Sequence, residues 1–475
     1  MPTTVKALIR FLMILIFLAT LLNIANAAAF SGIGDGTANN PFQITTVSQL
    51  DEVRHNLSAN YILMNDLDLN GFSSDWIPLG FSQPYNNSQS YDDFESFTGV
   101  FDGNNKTIYN LTINETRSEI GFFCCIESEG KIFNLKMENA KVIGEFNVGV
   151  IAGIIRFSGS AVNCRVINST VIAFDNGGGL TGSNFDGFVD SCSVLHSNII
   201  SSEDVILTNS ISYGNSGGLV AGNNCGIIVN SKVENTTIQS QCSAGGIVGV
   251  NRFSGIVENS SAINCSIKSE ASLIQYPLGY CGGIAGVNVD GGRIVTSSAV
   301  NCSVKLEASL PYVPIESSAG GIVGDSLWGC MIADCQASGE IENNGLGGGT
   351  GGIVGNASST TIINCSSFSS VTSSCFGEVG GIAGSAENCA IENCSVFNSE
   401  INQIESFHSI RDDYSFISFI SLKIKSNIGY IVGDSSKNKI NNCVYSDKIK
   451  SNKHIFKKNG SKKVNYVDDW TGFII

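Results

Sequence analysis

Histidine is almost missing from this chain: His55, His196, His408 and His454 are the whole supply, and no two stand at the spacing of a zinc-ligand pair. The His-Glu-x-x-His helix of zinc peptidases does not occur, nor do paired Cys-x-x-Cys knuckles or the Gly-Gly-x-Gly-x-Asp repeat of calcium-binding β-rolls. The sequence therefore offers no catalytic metal centre. Cations are short as well, 27 Lys and Arg against 42 Asp and Glu for a net charge of -15. Phosphate binding needs clustered cations, so nucleic acid is excluded as the expected partner. The one concentration of cations, from Lys448 to Lys463, reads as a solvated terminal cap. No apolar run reaches the length of a membrane span.

The first residues read as an export signal. Lys6 and Arg10 precede an apolar run from Phe11 to Leu22, and Ala25-Asn-Ala27 forms a small-residue exit. The run is shorter than the about 20 residues of a span. Removal near Ala28 is expected, leaving a secreted or cell-surface chain that does not cross the membrane. A lipid-anchor tail is not expected, because Asp468, Asp469 and Trp470 precede only a short apolar end.

What is abundant is glycine, 53 residues beside 7 prolines. The glycines do not recur every third residue, which excludes collagen. They recur instead as Gly149-Val-Ile-Ala-Gly153, Gly178-Gly-Leu-Thr-Gly182, Gly217-Gly-Leu-Val-Ala221, Gly245-Gly-Ile-Val-Gly249 and Gly282-Gly-Ile-Ala-Gly286. Gly320-Gly-Ile-Val-Gly324, Gly351-Gly-Ile-Val-Gly355, Gly380-Gly-Ile-Ala-Gly384 and the variant Gly429-Tyr-Ile-Val-Gly433 complete the series. Successive copies begin 28 residues apart at the closest, Gly217 to Gly245, and 49 at the widest, Gly380 to Gly429. The short spacing is one coil of a solenoid and the longer ones are that coil with a loop inserted.

Each signature reads as a strand followed by two more, as in residues 256–262 and 263–267, three being the minimum that closes a coil. Alternation places Ile391, Asn393 and Ser395 on one face against Glu392, Cys394 and Val396 on the other. The fold class is all-β: a right-handed parallel β-helix with N-terminal and C-terminal caps. At about 4.8 Å per coil, ten coils make a rod of roughly 48 Å. The expected divisions are a signal peptide over 1–27, a lead with capping coils over 28–140, the repeats over 141–445 with a loop insertion at about 401–428, and a basic C-terminal cap or tail over 446–475. One helix is expected from Val47 to Asn56, opened by a capping box of Thr46 and Gln49.

On these residues the chain resembles the GLUG-repeat proteins, a family of surface and secreted proteins named for this glycine signature. The lead is similar too, in Gly34-Asp-Gly-Thr37, Tyr61-Ile-Leu-Met-Asn-Asp-Leu-Asp-Leu69, Trp76-Ile-Pro-Leu-Gly80 and Phe97-Thr-Gly-Val-Phe-Asp-Gly-Asn104. The resemblance covers about residues 30 to 445 and implies a scaffold or accessory role. Related repeats lie beside the protease unit of immunoglobulin A peptidases, but the zinc motif of that unit is missing here.

Candidate chemistry is sparse. Glycoside hydrolysis needs paired carboxylates. Asp66 with Asp68 share one side of an expected strand, whereas Asp92-Asp93 and Asp412-Asp413 are adjacent pairs. Asp66, Asp68 and Asp102 are the weak candidates for a calcium site; turn hydrogen bonding is the alternative role. Sixteen cysteines in an exported chain point to disulfides. Yet Cys164, Cys192, Cys335, Cys365, Cys394 and Cys443 hold equivalent repeat positions, with Cys265 and Cys302 at a later strand, and parallel strands hold stacked Cβ atoms too far apart for a bridge. Those read as buried thiols. Cys330 with Cys335 and Cys389 with Cys394, together with Cys124, Cys125, Cys225, Cys242, Cys281 and Cys375, are the disulfide candidates. Asn-x-Ser/Thr tripeptides, among them Asn168, Asn264 and Asn393, are glycan acceptors or a by-product of Asn- and Ser-rich ladders.

The sequence thus points to a noncatalytic secreted or cell-surface repeat protein, an adhesin-like binding or structural module. Its expected partner is a cell-surface glycan or protein, with no cofactor and no catalytic residues named. The alternative is a carbohydrate-active β-helix enzyme, a lyase or hydrolase, which would need acidic groups and an arginine such as Arg252 or Arg293 to converge in one groove.

Overall fold

Short runs of aliphatic and β-branched residues, separated by Asn-Cys, Asn-Ser and Gly-Gly pairs, make strands of two to eleven residues that pair in parallel with the coil before and the coil after. The computed structural model describes residues 30–71, 75–81, 94–202, 214–271, 278–308, 316–345, 347–374, 377–397, 400–404, 428–429, 431–445 and 450–451. The export signal, Asp92-Asp93, Asp412-Asp413, His408, His454, Cys375 and all but the ends of the 401–428 insertion lie outside these residues. So does the basic tail, apart from Lys450–Ser451, which pairs with Glu400–Ile401. The stacked coils form a parallel β-helix, with sheets of 13, 28 and 10 strands.

One coil contains five strand segments, not three. In the best-defined example they are Glu378–Gly380, Ala383–Glu387, Ala390–Glu392, Ser395–Val396 and Glu400–Ile404. We call their stacks the first to fifth ladders. The second ladder is the ten-stranded sheet and the third the 13-stranded sheet. The fourth, fifth and first share the 28-stranded sheet, because strands such as Ser298–Ala308 and Thr170–Gly178 run through two ladders without a break.

The glycine signature is a corner, not a strand. In Gly245-Gly-Ile-Val-Gly249, Gly245 ends a strand of the first ladder, Gly246 and Ile247 make the bend, and Val248 opens the second ladder. A Cβ on Gly245 would lie 1.9 Å from the Val248 carbonyl oxygen and 2.8 Å from the backbone nitrogen of Gly286, the last glycine of the next coil. The same pair of contacts recurs at Gly320, with Val323 at 1.9 Å and Gly355 at 2.7 Å, and at Gly351, with Val354 at 2.0 Å and Gly384 at 2.8 Å. The middle glycine is needed on the inside: a Cβ on Gly283 would meet the Ala299 side chain at 2.5 Å, and one on Gly321 would meet Ala337 at 2.6 Å. In other coils the fourth ladder faces this glycine with Val194, Val233, Ala262 or Ser367.

Next to the bend the signature's Ile or Leu fills the core. Leu180, Leu219, Ile247, Ile284, Ile322, Ile353 and Ile382 are all fully buried. So is the mid-position of the third ladder, in register from Phe101 and Ile132 through Ala161, Val189, Ile228, Val257, Ile294 and Ile332 to Ile362 and Ile391. Each such side chain contributes about 1.5–3 kcal/mol. Simple alternation does not hold across the corners. Ile391, Cys394 and Val396 all point inward, because Asn393 between them takes φ +54° and resets the phase.

Rungs of the third ladder begin at Phe42–Ile44 and Asn60–Leu63, so the lead joins the solenoid directly. Between these two rungs lies the helix Val47–Asp51, continued by a 3-10 turn over Glu52–His55. Leu50 and Val53 insert from it into the core. The cap is offset by one residue from the expected box. Thr46 Oγ1 accepts from Gln49 N, while Gln49 Oε1 accepts from Thr45 N at 2.8 Å instead of from Thr46. Phe97, Phe101, Phe122 and Phe123 fill this end with edge-to-face and tilted ring contacts.

Gly320→Ala is expected to destabilise the chain by about 1–3 kcal/mol through backbone overpacking. Gly222→Ala is the control: it lies in the second ladder with no atom nearer than 3.7 Å to the added methyl, and is expected to be neutral. Thermal unfolding followed by far-UV circular dichroism would show both, and equal midpoints for the two variants would refute the corner argument.

Candidate functional site

The expected carboxylates do not assemble into one site. Asp66 Oδ1 accepts from Thr107 N at 2.7 Å. Asp68 Oδ1 accepts from Asn110 Nδ2 at 2.7 Å and Asn70 N at 2.9 Å, and these donors, Asn110 first, hold its carboxyl below the usual range. Asp102 Oδ1 accepts from Asn104 N at 2.8 Å and Asn134 Nδ2 at 3.3 Å. Each ties one coil to its neighbour or closes a turn. Among the described residues no three His, Cys, Asp or Glu are grouped to hold a metal ion. Neither arginine meets them: Arg252 lies over the ring of Phe253, and Arg293 begins a strand of the third ladder.

The cysteines follow the corners. Every described cysteine is a free thiol. Cys-x-Ile-x-x-Cys at 330–335 places its cysteines on two corners flanking the strand Met331–Ala333, roughly 10 Å of extended chain and beyond disulfide reach. At the corner between the third and fourth ladders, Cys335, Cys365, Cys394 and Cys443 each donate Sγ–H to the carbonyl two residues back, at 3.2–3.4 Å. Ser231, Ser260 and Ser297 do the same with Oγ at 2.8–2.9 Å in other coils, and accept the backbone N–H of the coil before. Cysteine and serine are therefore alternatives for one bond. The preceding residue is asparagine in the left-handed region, as at Asn259 (φ 47°), Asn364 (φ 55°) and Asn393 (φ 54°). Its side chain bonds the same residue one coil away, Asn259 to Asn230 at 2.7 Å and Asn393 to Asn364 at 3.2 Å. Asn-Cys-Ser and Asn-Ser-Ser are thus the corner's own chemistry, which is why glycan-acceptor tripeptides are so frequent.

A row of amides on the second ladder is fully buried inside. Asn184, Asn223 and Asn251 each donate to the next of the row at 2.8 Å, ending on Asn288, and all four also donate to a turn carbonyl of their own coil, from Gly187, Gly226, Gly255 and Gly292. The series ends at Asn184, whose Oδ1 has no partner because Ile155 occupies the adjoining rung.

Two surface features were not legible in the sequence. The first is a cleft of about 230 Å³ between the first and second ladders, lined by Tyr280, Ser318, Asp325, Gly348, Gly349, Asn356, Glu378 and Ser385. Asp325, itself buried, accepts from Asn356 Nδ2 at 3.1 Å. The cleft offers carboxylates, an amide and hydroxyls to a polar group, but is smaller than ordinary small-molecule sites. The second is the corner between the second and third ladders, where every coil has a residue in the left-handed region. Asp186, Asp290, Ser359 and Asn388 take it readily, but so do Phe157 (φ 47°), Phe253 (φ 54°) and Trp328 (φ 62°), where a bulky side chain costs of order 1 kcal/mol or more. Their side chains are 51%, 49% and 62% exposed.

A parallel β-helix turning on paired glycines is thus the class of protein that this cross-section defines. The family model described as "the GLUG motif" matches residues 377–402, so the chain carries at least one GLUG motif. The match spans the five strand segments of one coil, from Glu378–Gly380 to Glu400–Ile404. Over 124 residues the chain is 35% identical to halomucin of Haloquadratum walsbyi, covering 25% of this chain and 1% of halomucin. Over 120 residues it is 32% identical to a protein assigned as a Gly-rich membrane protein of Evansella cellulosilytica, covering 24% and 12%. The matches therefore span a small part of these relatives' length. Among solved structures, a protein assigned as an immunoglobulin A1 protease from Bacteroides ovatus aligns at 18% identity over 90% of this chain and 82% of its own, TM-score 0.32. The Dettilon tailspike protein aligns at 10% identity over 89% and 65%, TM-score 0.27. Superpositions this loose add nothing to the fold seen directly.

Burial raises the thiols of Cys125 and Cys242 to about 11 and that of Cys281 to about 12, which keeps them protonated at neutral pH, whereas Cys225 is exposed. Iodoacetamide at pH 8 is expected to label Cys225 in the native protein and Cys125, Cys242 and Cys281 only after denaturation. Peptide mapping checks this, and labelling of Cys281 as fast as Cys225 would overturn it.

Proposed function

We propose that the chain is a noncatalytic secreted or cell-surface rod that displays variable loops, an adhesin-like module. The observation carrying this reading is where the coil length varies. The segments 203–213, 272–277, 309–315 and 405–427 all leave the rod between the fifth and first ladders, after Asn198–Ser201, Ser266–Ala271, Ser298–Ala308 and Glu400–Ile404. They return at Ser216, Leu278, Glu316 and Ile428. Where nothing is inserted, Thr170–Gly178 passes straight through. These four insertions are thus collected along one edge of a rigid scaffold, the arrangement expected of a binding surface built from loops. Export to the cell exterior fits the signal-like first residues, and no described helix is long and apolar enough to cross a membrane.

A hydrolase or lyase is the second reading, favoured by one observation: Asp325 and Glu378 line the same cleft. Incubation with a panel of glycans decides between the two. The display reading expects no new reducing ends and no unsaturated products; either product, lost in Asp325→Asn, would establish the enzyme.

Shortening 405–427 to a two-residue link is expected to change stability by about 1 kcal/mol or less, since loop-closure entropy varies slowly with length. The same variant should reduce the retention of protein-coated beads on a cell layer. Unchanged retention after all four segments are shortened would sink the display reading.

A further inference from the structure

The corner between the second and third ladders carries a row of side chains that the loop edge does not explain. Register along the second ladder runs Arg156, Phe185, Asn224, Arg252, Val289 and Leu327. Phe157 and Phe185 therefore stand on neighbouring coils, Phe253 three coils from Phe157, and Trp328 five coils from it. With coils about 4.8 Å apart, the row is straight and about 24 Å long. All four rings are exposed, Phe185 by 40%, and Phe157 and Phe185 meet edge to face with centroids 5.8 Å apart. Asp186 and Asp290 hold the left-handed position on two of the coils among them.

The geometry points to a binding strip for an extended, neutral, β-linked polysaccharide, its pyranose faces stacked on Phe157, Phe253 and Trp328 and its hydroxyls bonded by Asp186 and Asp290. Three observations select this occupant. The row is one side chain wide, whereas a stable protein partner needs about 800 Å² and 20–30 residues per side. Its groups recur at multiples of one fixed rise, which matches a polymer of like units, not a globular surface. Its charges nearly cancel: Arg156 is paired with Glu127 at 2.6 Å, and Arg252 stands with Asp186 and Asp290 along the same edge, so a polyanion finds no cationic track. Aromatic rings offering a flat apolar face beside hydrogen-bonding carboxylates are the usual make-up of a sugar subsite. The backbone conformation supports the same conclusion. At this position half of the ten coils use Asp, Ser or Asn, as at Ser128, Asp186, Asp290, Ser359 and Asn388, and large aromatics in the left-handed region persist at a cost to the fold that a ligand contact would explain.

The test is affinity electrophoresis of the full chain in gels containing hydroxyethyl cellulose, xylan or barley β-glucan, with alginate as the polyanion. Retardation is expected in at least one neutral gel and not in alginate. Replacing Phe157, Phe253 and Trp328 with Asn should weaken that interaction about tenfold or more, while the thermal midpoint stays level or rises, because Asn accepts the left-handed region. Trp328→Asn alone should give an intermediate loss, which guards against misfolding of the triple variant. No retardation in any neutral gel, preference for alginate, or equal retardation of wild type and the triple variant would each overturn the proposal. Shortening 405–427 should leave the retardation intact, so failure of the display reading and failure of this one are separable.

Discussion

Everything in this rod depends on two glycines touching across coils. From Gly217 to Gly380 the first glycine of each signature packs on the backbone of the last glycine of the next, with no space for a methyl group at either side, while at Gly178 the facing residue is Ala221. That contact lets the first and second ladders fold sharply against one another. It also brings the fourth ladder close to the bend, which it faces with alanine, valine or serine, beside the buried Ile or Leu of the signature. Polar interior side chains find partners on the backbone, as at Asn343 and Gln403, or in series, as in the row of amides from Asn184 to Asn288.

The other corners solve the same problem with different chemistry. A residue in the left-handed region turns the chain, and the following Cys, Ser or Thr closes the turn by donating to the carbonyl two residues back. This single rule accounts for the asparagine and cysteine content and for the recurrent Asn-x-Ser/Thr tripeptides. Thiols held this way are small, buried donors, and the described cysteines are free.

With the interior committed to stacking, chemistry is left to the edges. One edge collects the insertions, with a polar cleft around Asp325 and Asn356 between the first and second ladders. Another presents Phe157, Phe253 and Trp328 from a backbone conformation that suits them poorly. Both edges run the length of a straight scaffold, so any partner engaged by either meets groups at fixed spacing. The motif unit matched at residues 377–402 ends near the edge where insertions emerge, so variation falls between repeats and leaves the glycine contact untouched.

How much of this was legible in the sequence follows from the range of the forces involved. Gly-Gly-Ile-Val-Gly recurring at spacings of 28 residues and more, β-branched runs and the scarcity of proline determined a parallel solenoid and its core isoleucines, because these rest on local propensity and repetition. The signature was misread as a strand, since only coordinates show that Gly245 meets Gly286 and not its own neighbours. Alternation misplaced Cys394, because a positive φ at Asn393 shifts the phase without altering composition. Asp66, Asp68 and Asp102, grouped by sequence as weak calcium candidates, each accept different donors within a turn or from a neighbouring coil, partners that sequence spacing does not show. The alignment of four insertions on one edge, and of Phe157, Phe253 and Trp328 in one row, was decided by the tertiary structure alone: unequal loops erase the sequence period, while the hydrogen-bond register between coils preserves it.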